Sequence, residues 1–144
     1  MPIPSTKLIL ADTSALVRLL RANAEKLGMD ELIARGRVGI CPVTELELMV
    51  SARTLAERQK ISSTLERSYT SVLMPDRVYD RARQVQEMLT EKGQHRGPTA
   101  IDLLVAATAE LTGRTLLHYD RDFEPVARAT GQEALWLAPP GSID

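Results

Sequence analysis

Apolar residues along the chain follow two alternating patterns. Short runs in which nearly every residue is apolar predict buried strands, and longer segments with apolar residues three or four positions apart predict helices. We expect strands over 7–11, 37–41, 71–74, 115–117 and 134–137. We expect helices directly after Ser14 and over 25–35, 42–50, 54–69, 77–92, 100–111 and 122–130.

Polar residues and glycines mark the ends of these elements. Asp76 is placed to cap the helix that follows it. Gly36, Gly113 and Gly131 follow predicted helices, at positions where glycine favours termination. The alternation of strands with helices is typical of an α/β fold with a parallel sheet covered on both faces. The length of 144 residues fits one domain over 1–144.

Composition narrows the class of protein. Cys41 is the only cysteine, which excludes an internal disulfide framework and a cysteine-rich zinc site. The formal net charge of −1 is too low for binding nucleic acid through overall charge, so RNA contacts would need local arginines or metal ions. The sequence shows no signal-peptide pattern and no apolar run of transmembrane length. We therefore expect a cytoplasmic protein that does not bind a membrane.

Acidic residues gather where the predicted strands end. Asp12 follows the first strand, and Asp120 and Asp122 follow the fourth. Glu45 lies in the first turns of the helix after the second strand, and Asp102 lies in the first turn of the helix before the fourth. Open parallel sheets bind ligands at the carboxyl ends of their strands. The sequence therefore predicts one acidic site at that edge of the sheet.

The surroundings of two of these carboxylates favour a bound cation. Asp102 lies in a helix that is apolar on almost every side, and Asp12 directly follows an apolar run. An isolated buried carboxylate is costly, whereas a divalent ion offsets both the burial and the repulsion between neighbouring acids. Ligands that are all oxygen favour Mg²⁺, with Mn²⁺ as a substitute, over zinc. Sites of this kind are typical of phosphoryl transfer.

Several of the acids also have an ordinary structural explanation. Thr99 with Asp102, and Thr44 with Glu47, have the spacing of a capping box. Asp122 can cap the helix after it. Capping leaves the acids after the first and second strands unexplained, and it does not explain why the whole set converges. We therefore favour a metal site for the set.

Four segments carry a family resemblance. They are Leu10-Ala-Asp-Thr-Ser-Ala15, Val43-Thr-Glu-Leu-Glu47, Ala100-Ile-Asp-Leu-Leu-Val-Ala-Ala107 and His118-Tyr-Asp-Arg-Asp-Phe123. Their order and spacing, and the length of the chain, resemble those of the PIN-domain ribonucleases, and most closely the VapC-type toxins of bacterial toxin–antitoxin pairs. One such segment would be weak support, but four in the right order are specific. The resemblance spans essentially the whole chain.

The resemblance assigns roles to individual residues. The catalytic, metal-binding set that it implies is Asp12, Glu45, Asp102 and Asp120, with Asp122 at a further and less constant acidic position. Thr13 or Ser14 matches the small hydroxyl residue beside the site. Glu47 lies two residues beyond Glu45, so the two side chains face different ways on a helix. We assign Glu45 as the ligand and Glu47 as a helix cap.

The resemblance also implies a fold, a reaction and partners. The fold would be a three-layer α/β/α sandwich around a parallel sheet of about five strands. The reaction would be cleavage of RNA within the strand, dependent on Mg²⁺ or Mn²⁺, by attack of an activated water on a phosphodiester. A small VapB-like antitoxin would bind the chain and block the site. The toxin would form a homodimer, and DNA would be contacted only through the antitoxin complex.

Further residues are candidates for contacts with the RNA substrate. Arg96 lies in a glycine-flanked loop, and Arg121 lies between two of the acids. Either could bind phosphate. An ordinary solvated loop and an ion pair between Arg121 and Asp122 are the competing interpretations. Thr13 and Ser14 are candidates because they adjoin the first acid.

Two other functions stay open at this point. A housekeeping PIN nuclease acting in RNA processing would use the same site and differ only in its biology. A non-catalytic α/β scaffold could use the acids to bind an arginine of a partner. The complete set of acids argues against a decayed site. We therefore predict a Mg²⁺-dependent endoribonuclease, the toxin of a type II toxin–antitoxin pair.

Overall fold

A parallel sheet forms the centre of the structure, a computed structural model that describes residues 3–22 and 24–144. Its strands are β1 (Ile9–Ala11), β2 (Val38–Ile40), β3 (Thr70–Ser71), β4 (Thr115–His118) and β5 (Ala134–Trp136). All neighbouring strands pair in parallel, in the order β3-β2-β1-β4-β5. This order places β1 and β4 side by side, so the residues that follow these two strands emerge together at one edge.

Helices connect the strands and cover both faces of the sheet. They are α1 (Thr13–Arg21), α2 (Asp30–Ala34), α3 (Pro42–Met49), α4 (Leu55–Ser68), α5 (Val78–Glu91), α6 (Ala100–Leu111) and α7 (Phe123–Thr130). Within the described residues, none of them combines the length and the apolar character that a membrane span requires.

Two apolar clusters separate the helices into two layers. Side chains of successive strand residues point to opposite faces, so Ile9 and Ala11 join one cluster and Leu10 joins the other. The first cluster holds the apolar faces of α1 and α4 together with Leu48 and Met49 of α3. The second holds α5, α6 and α7. This arrangement confirms the three-layer α/β/α sandwich and its sheet of five parallel strands.

Three of the predicted element boundaries are wrong. The helix expected over 25–35 forms only at Asp30–Ala34, because residues 24–28 turn instead and Gly28 has a φ of 71°. The strand expected over 71–74 pairs with β2 only at Thr70–Ser71, and its last bond to β2 runs from the Val72 N–H to the Ile40 carbonyl oxygen at the end of that strand (2.8 Å). The cap position of α5 is Arg77 rather than Asp76, and no side chain caps that helix.

Candidate metal centre

Asp12 lies where β1 passes into α1. Its backbone N–H donates to the Leu117 carbonyl of β4 (2.9 Å), which fixes it at the carboxyl edge of the sheet. Its Oδ2 accepts hydrogen bonds from the Ser14 N–H (3.0 Å) and the Ser14 hydroxyl (2.7 Å), and so caps α1. Its Oδ1 is buried and has no hydrogen-bond partner within the described part of the chain. A buried oxygen left without a partner is costly, and this position fits a ligand atom for a cation.

The protein alone does little to stabilise the negative charge of Asp12. The residue is only 3% exposed. Burial raises the pKa of its carboxyl to about 6, and the nearby Asp102 carboxylate adds to this rise, whereas the hydrogen bonds from Ser14 lower it. A divalent cation would reverse this balance, because it stabilises the ionised form that burial disfavours.

Asp102 lies in the first turn of α6 and takes part in a complete capping box. The Thr99 hydroxyl accepts the Asp102 N–H (3.1 Å), and Asp102 Oδ2 accepts the Thr99 N–H (2.9 Å). The capping explanation and the metal explanation are therefore compatible, since the cap occupies Oδ2. Burial raises the pKa of Asp102, and repulsion from Asp120 and Glu47 raises it further.

Asp120 and Asp122 complete a compact acidic group with Asp102. One carboxylate oxygen from each of the three lies within 4.8 Å of the others, which is close enough for all three to hold one ion. Asp120 Oδ1 accepts the Asp122 N–H (2.9 Å), which fixes the turn between them. Burial and the charge of Asp120 raise the pKa of Asp122. Asp122 occupies the cap position of α7 but makes no capping bond with its side chain.

The structure separates the two glutamates of α3. The helix begins at Pro42 with Cys41 as its cap residue, so Thr44 and Glu47 lie inside it and do not form a capping box. The assignment of Glu47 as a helix cap is therefore wrong. Glu47 instead lines a small cavity with Ile101 and acts electrostatically on the neighbouring Asp102.

Glu45 is half-buried on another side of the same helix. Glu47 is among the charges that raise the pKa of Asp102. The assignment of Glu45 as a ligand stays a prediction, and the surroundings of the two glutamates favour Glu47. The sequence contained one signal for the direction of the two glutamates. Pro42 marks the start of α3, and the start of a helix sets the direction in which each of its side chains points.

The predicted substrate-binding residues differ in their surroundings. The hydroxyl oxygen of Thr13 is buried and has no partner within the described residues, and Ser14 is bonded to Asp12. Arg96 and Arg121 are both exposed. None of the ion pairs between described residues joins Arg121 to Asp122, so the pairing considered for it is not formed.

His118 is a supporting residue to which the sequence analysis gave no role. It is buried at the end of β4, where its ring packs against Phe123 and Trp136. Its Nδ1 accepts the Asp120 N–H at 3.3 Å. Burial lowers the pKa of His118 to about 4, even though the charge of Asp120 raises it, so at neutral pH the ring is uncharged and its Nδ1 accepts this bond.

The donor set fits a hard divalent cation. The converging atoms are carboxylate oxygens, and the buried Oδ1 of Asp12 has no protein partner in the described chain. Such oxygens suit Mg²⁺ or Mn²⁺ and do not suit a soft metal. Burial, and to a smaller extent repulsion from neighbouring acids, raises the pKa of Asp12, Asp102 and Asp122, and a bound cation would offset both effects.

Comparison with known proteins gives the family. A sequence model of the PIN domain matches residues 9–129, a range that contains every acidic residue described above. The chain belongs to the PIN-domain family. Ribonuclease VapC2 of Mycobacterium tuberculosis (strain CDC 1551 / Oshkosh) is 44% identical over 137 residues, which cover 92% of this chain and 96% of that protein. Ribonuclease VapC21 of Mycobacterium tuberculosis (strain ATCC 25618 / H37Rv) is 38% identical over 133 residues, with the same coverage of 92% and 96%.

Solved structures support the PIN-domain fold. VapBC2 from Rickettsia felis, bound to a DNA fragment from its promoter, contains a chain that aligns with a TM-score of 0.73 at 15% identity, over 90% of this chain and 98% of that one. VapBC-5 from Mycobacterium tuberculosis, a member of the VapBC family of toxin–antitoxin systems, gives a TM-score of 0.58 at 26% identity, over 92% and 98%.

Proposed function

We propose that this PIN-domain protein is a metal-dependent endoribonuclease and the toxin of a VapBC-type toxin–antitoxin pair. The observation that carries the proposal is the acidic site. Oxygens of Asp102, Asp120 and Asp122 lie within 4.8 Å of one another, and the charge of Asp102 acts on Asp12, which has a buried oxygen without a partner in the described chain. RNA as the substrate class follows from membership of the family and from the VapC ribonucleases among its relatives.

The proposed metal ligands are Asp12, Asp102 and Asp120, with Asp122 and one glutamate of α3 completing the site. We favour Glu47 over Glu45 because Glu47 acts on Asp102. Mg²⁺ is the proposed ion and Mn²⁺ its substitute. When bound, such an ion lowers the pKa of a water molecule and offsets the charge that develops on a phosphodiester during in-line displacement.

Other residues of the chain orient these carboxylates before any substrate arrives. Ser14 holds Oδ2 of Asp12, and Thr99 holds Oδ2 of Asp102. His118 holds the backbone N–H of Asp120. Carboxylates fixed in this way need little rearrangement when a cation and a phosphodiester bind, which is the usual role of supporting residues around a metal site.

The proposed protein partner is a VapB-like antitoxin. Support comes from the VapC names of the sequence relatives and from the VapBC complexes among the solved structures. Contact with DNA through that complex, a homodimer of the toxin and a cytoplasmic location belong to the same proposal. Two exposed apolar side chains leave surface for such contacts: Leu46 on α3, at 62% exposure, and Val50 directly after that helix, at 84%.

Cleavage of RNA by the purified chain tests the enzymatic part. We expect cleavage in Mg²⁺ or Mn²⁺ that EDTA abolishes, and a loss of at least a hundredfold in Asp12→Asn, Asp102→Asn and Asp120→Asn, because each removes a charged ligand. Asp80→Asn is the matched control, since Asp80 lies on α5 in an exposed ion pair with Arg83. Cleavage that survives EDTA, or wild-type rates in the three ligand variants, would refute the proposed site.

Expression in a bacterial host tests the biological part. Induction of the wild-type chain should arrest growth, and Asp102→Asn at the same protein level should not. Co-expression of a small protein encoded directly upstream should restore growth if it is the antitoxin. Normal growth with active wild-type enzyme would point instead to a housekeeping nuclease.

A further inference from the structure

The guanidinium of Arg18 is held in place without being neutralised. It stacks over the ring of Tyr119, with 4.4 Å between Cζ and the ring centroid, and its Nη1 donates to the Ser14 carbonyl oxygen (2.8 Å). None of the ion pairs between described residues involves Arg18. The contacts that order this side chain are therefore a cation–π contact and one neutral acceptor, and they leave its positive charge intact.

Hydrogen bonds link this charge to the metal centre through Ser14. Arg18 is four residues after Ser14, and side chains in a helix lean towards its N-terminus, which brings the guanidinium back to the level of Ser14. Ser14 binds Asp12 through its hydroxyl, and the same hydroxyl accepts the Tyr119 N–H (2.9 Å). Tyr119 in turn directly precedes Asp120. A single residue, Ser14, thus bridges the arginine and the acidic site.

Space for a ligand exists next to the arginine. A cavity of about 280 Å³ is lined by Arg18, Arg21, Ala22, Ile143 and Asp144. Asp144 makes no ion pair with either arginine among the described residues. The buried Nε of Arg18 also has no hydrogen-bond partner within the described chain.

An RNA strand needs local positive charge at this edge. The chain has a formal net charge of −1, so its overall charge does not attract a polyanion, and the acidic group repels one. A planar guanidinium that is not paired with a carboxylate is the side chain best suited to bind a phosphate. Arg18 combines this chemistry with a position fixed by Ser14 and Tyr119, and Ser14 also binds Asp12.

We propose that Arg18 binds a backbone phosphate of the RNA next to the phosphodiester that is cleaved, and so aligns the strand across the acidic site. This inference rests on the proposed endoribonuclease function and adds a substrate-binding residue to it. Arg18 contacts substrate through Nη atoms while Tyr119 supports its plane. Contacts of this kind hold the strand in register but carry no information about the bases.

Binding and cleavage by Arg18→Gln test the inference. Affinity for a single-stranded RNA of twelve nucleotides is measured by fluorescence anisotropy in EDTA, where no cleavage occurs, over a range of salt concentrations. We expect affinity to fall about tenfold, as for the loss of one charge-assisted hydrogen bond. The slope of log affinity against log salt should become shallower by about 0.7, the value for one phosphate contact on a single strand.

Two matched variants separate this role from a general effect of charge or folding. Arg35→Gln removes the same charge from an exposed ion pair with Glu31, just before β2 and therefore at the opposite end of the sheet. It should bind RNA with wild-type affinity. Arg18→Lys keeps the charge without the planar fork, so it should restore the salt slope and only part of the affinity.

The steady-state constants distinguish a substrate contact from a structural support. A contact with RNA predicts that KM rises about tenfold in Arg18→Gln while kcat and the Mn²⁺ affinity stay within twofold. If kcat and Mn²⁺ affinity fall and the RNA affinity is unchanged, Arg18 only braces Ser14 and the inference is overturned. If the wild-type chain cleaves RNA and Arg18→Gln matches it in every respect, this inference alone fails. If the wild-type chain neither binds nor cleaves RNA, the proposed function fails with it.

Discussion

Asp12 illustrates how one side chain serves folding and ligand binding through different atoms. Oδ2 caps α1 by accepting the Ser14 N–H at the start of the helix. Oδ1 is buried without a partner in the described chain, which no capping role explains. Helix capping is worth about 1 kcal/mol, whereas an unsatisfied buried acceptor costs about 1–3 kcal/mol. The unpaired oxygen therefore costs at least about as much as the cap stabilises, and a bound cation would remove that cost.

The metal-free protein should lose stability as the pH rises through the range in which Asp12 ionises. An unfolded aspartate has a pKa near 3.8, and in the fold that of Asp12 is about 6, so the folded state binds more protons between these values. The free energy of unfolding therefore falls as the pH rises from about 4 to 6, by about 3 kcal/mol if the other groups do not change. Asp12→Asn in EDTA should remove this loss and raise Tm at pH 7.5, as read by thermal melts across pH. A variant that melts below wild type at pH 7.5 would contradict the prediction.

The register of α3 decides which glutamate serves the site. Residues two apart on a helix point in different directions, so Glu45 and Glu47 cannot both face α6. The contact of Glu47 with the surroundings of Asp102 predicts that Glu47→Gln lowers Mn²⁺ affinity and cleavage by tenfold or more, while Glu45→Gln changes both by less than threefold. Titration calorimetry and cleavage rates check this, each variant being the control for the other. The reverse order of effects would restore Glu45 as the ligand.

The loop before α6 packs closely on the acidic group. A Cβ at Gly97 would lie 2.9 Å from Oδ1 of Asp122, closer than such contacts occur. Gly97→Ala should therefore displace the Asp122 carboxylate and weaken Mn²⁺ binding several-fold, with a smaller effect on Tm. A double-mutant cycle gives the test: on an Asp122→Asn background, Gly97→Ala should have little further effect on Mn²⁺ affinity. Equal effects on both backgrounds would show that the loop acts elsewhere.

The elements differ in how well the sequence predicted them, for physical reasons. Helix α6 carries its own start signal in Thr99 and Asp102, and the structure places it at Ala100–Leu111 as expected. Strand β3 pairs with β2 at only two positions, and this pairing joins segments more than thirty residues apart in the chain. The direction of Glu47 depends likewise on how α3 packs against α6. Local patterns predict where an element lies, and tertiary packing decides its length and orientation.

At the scale of the whole molecule, the sheet order brings the acids together. Strands β1 and β4 are neighbours although more than a hundred residues separate them in the chain, so Asp12 and Asp120 emerge at the same edge. The sequence predicted this convergence through the general rule for parallel sheets, without the strand order itself. It could not predict the stack of Arg18 on Tyr119, because that contact joins residues about a hundred positions apart in the chain.

The same geometry predicts opposite responses to pH with and without a bound cation. Cation binding requires ionised carboxylates, and below pH 6 it must displace the proton that Asp12 holds in the metal-free fold. At a hundredfold excess over Kd a ligand adds about 2.7 kcal/mol to stability. A fixed Mn²⁺ concentration should therefore raise Tm more at pH 7.5 than at pH 5.5.

Thermal melts of wild type, Asp12→Asn and the control Asp80→Asn, each in Mn²⁺ and in EDTA, measure these responses. In EDTA, the wild type and the control should have a lower Tm at pH 7.5 than at acid pH. The rise in Tm on adding Mn²⁺ should be largest at pH 7.5. Mn²⁺ should raise the Tm of Asp12→Asn only slightly at either pH. If the cation raised Tm equally at both pH values in the wild type, proton and metal would not compete for Asp12. The buried, unpartnered oxygen at the end of β1 would then have some role other than metal binding.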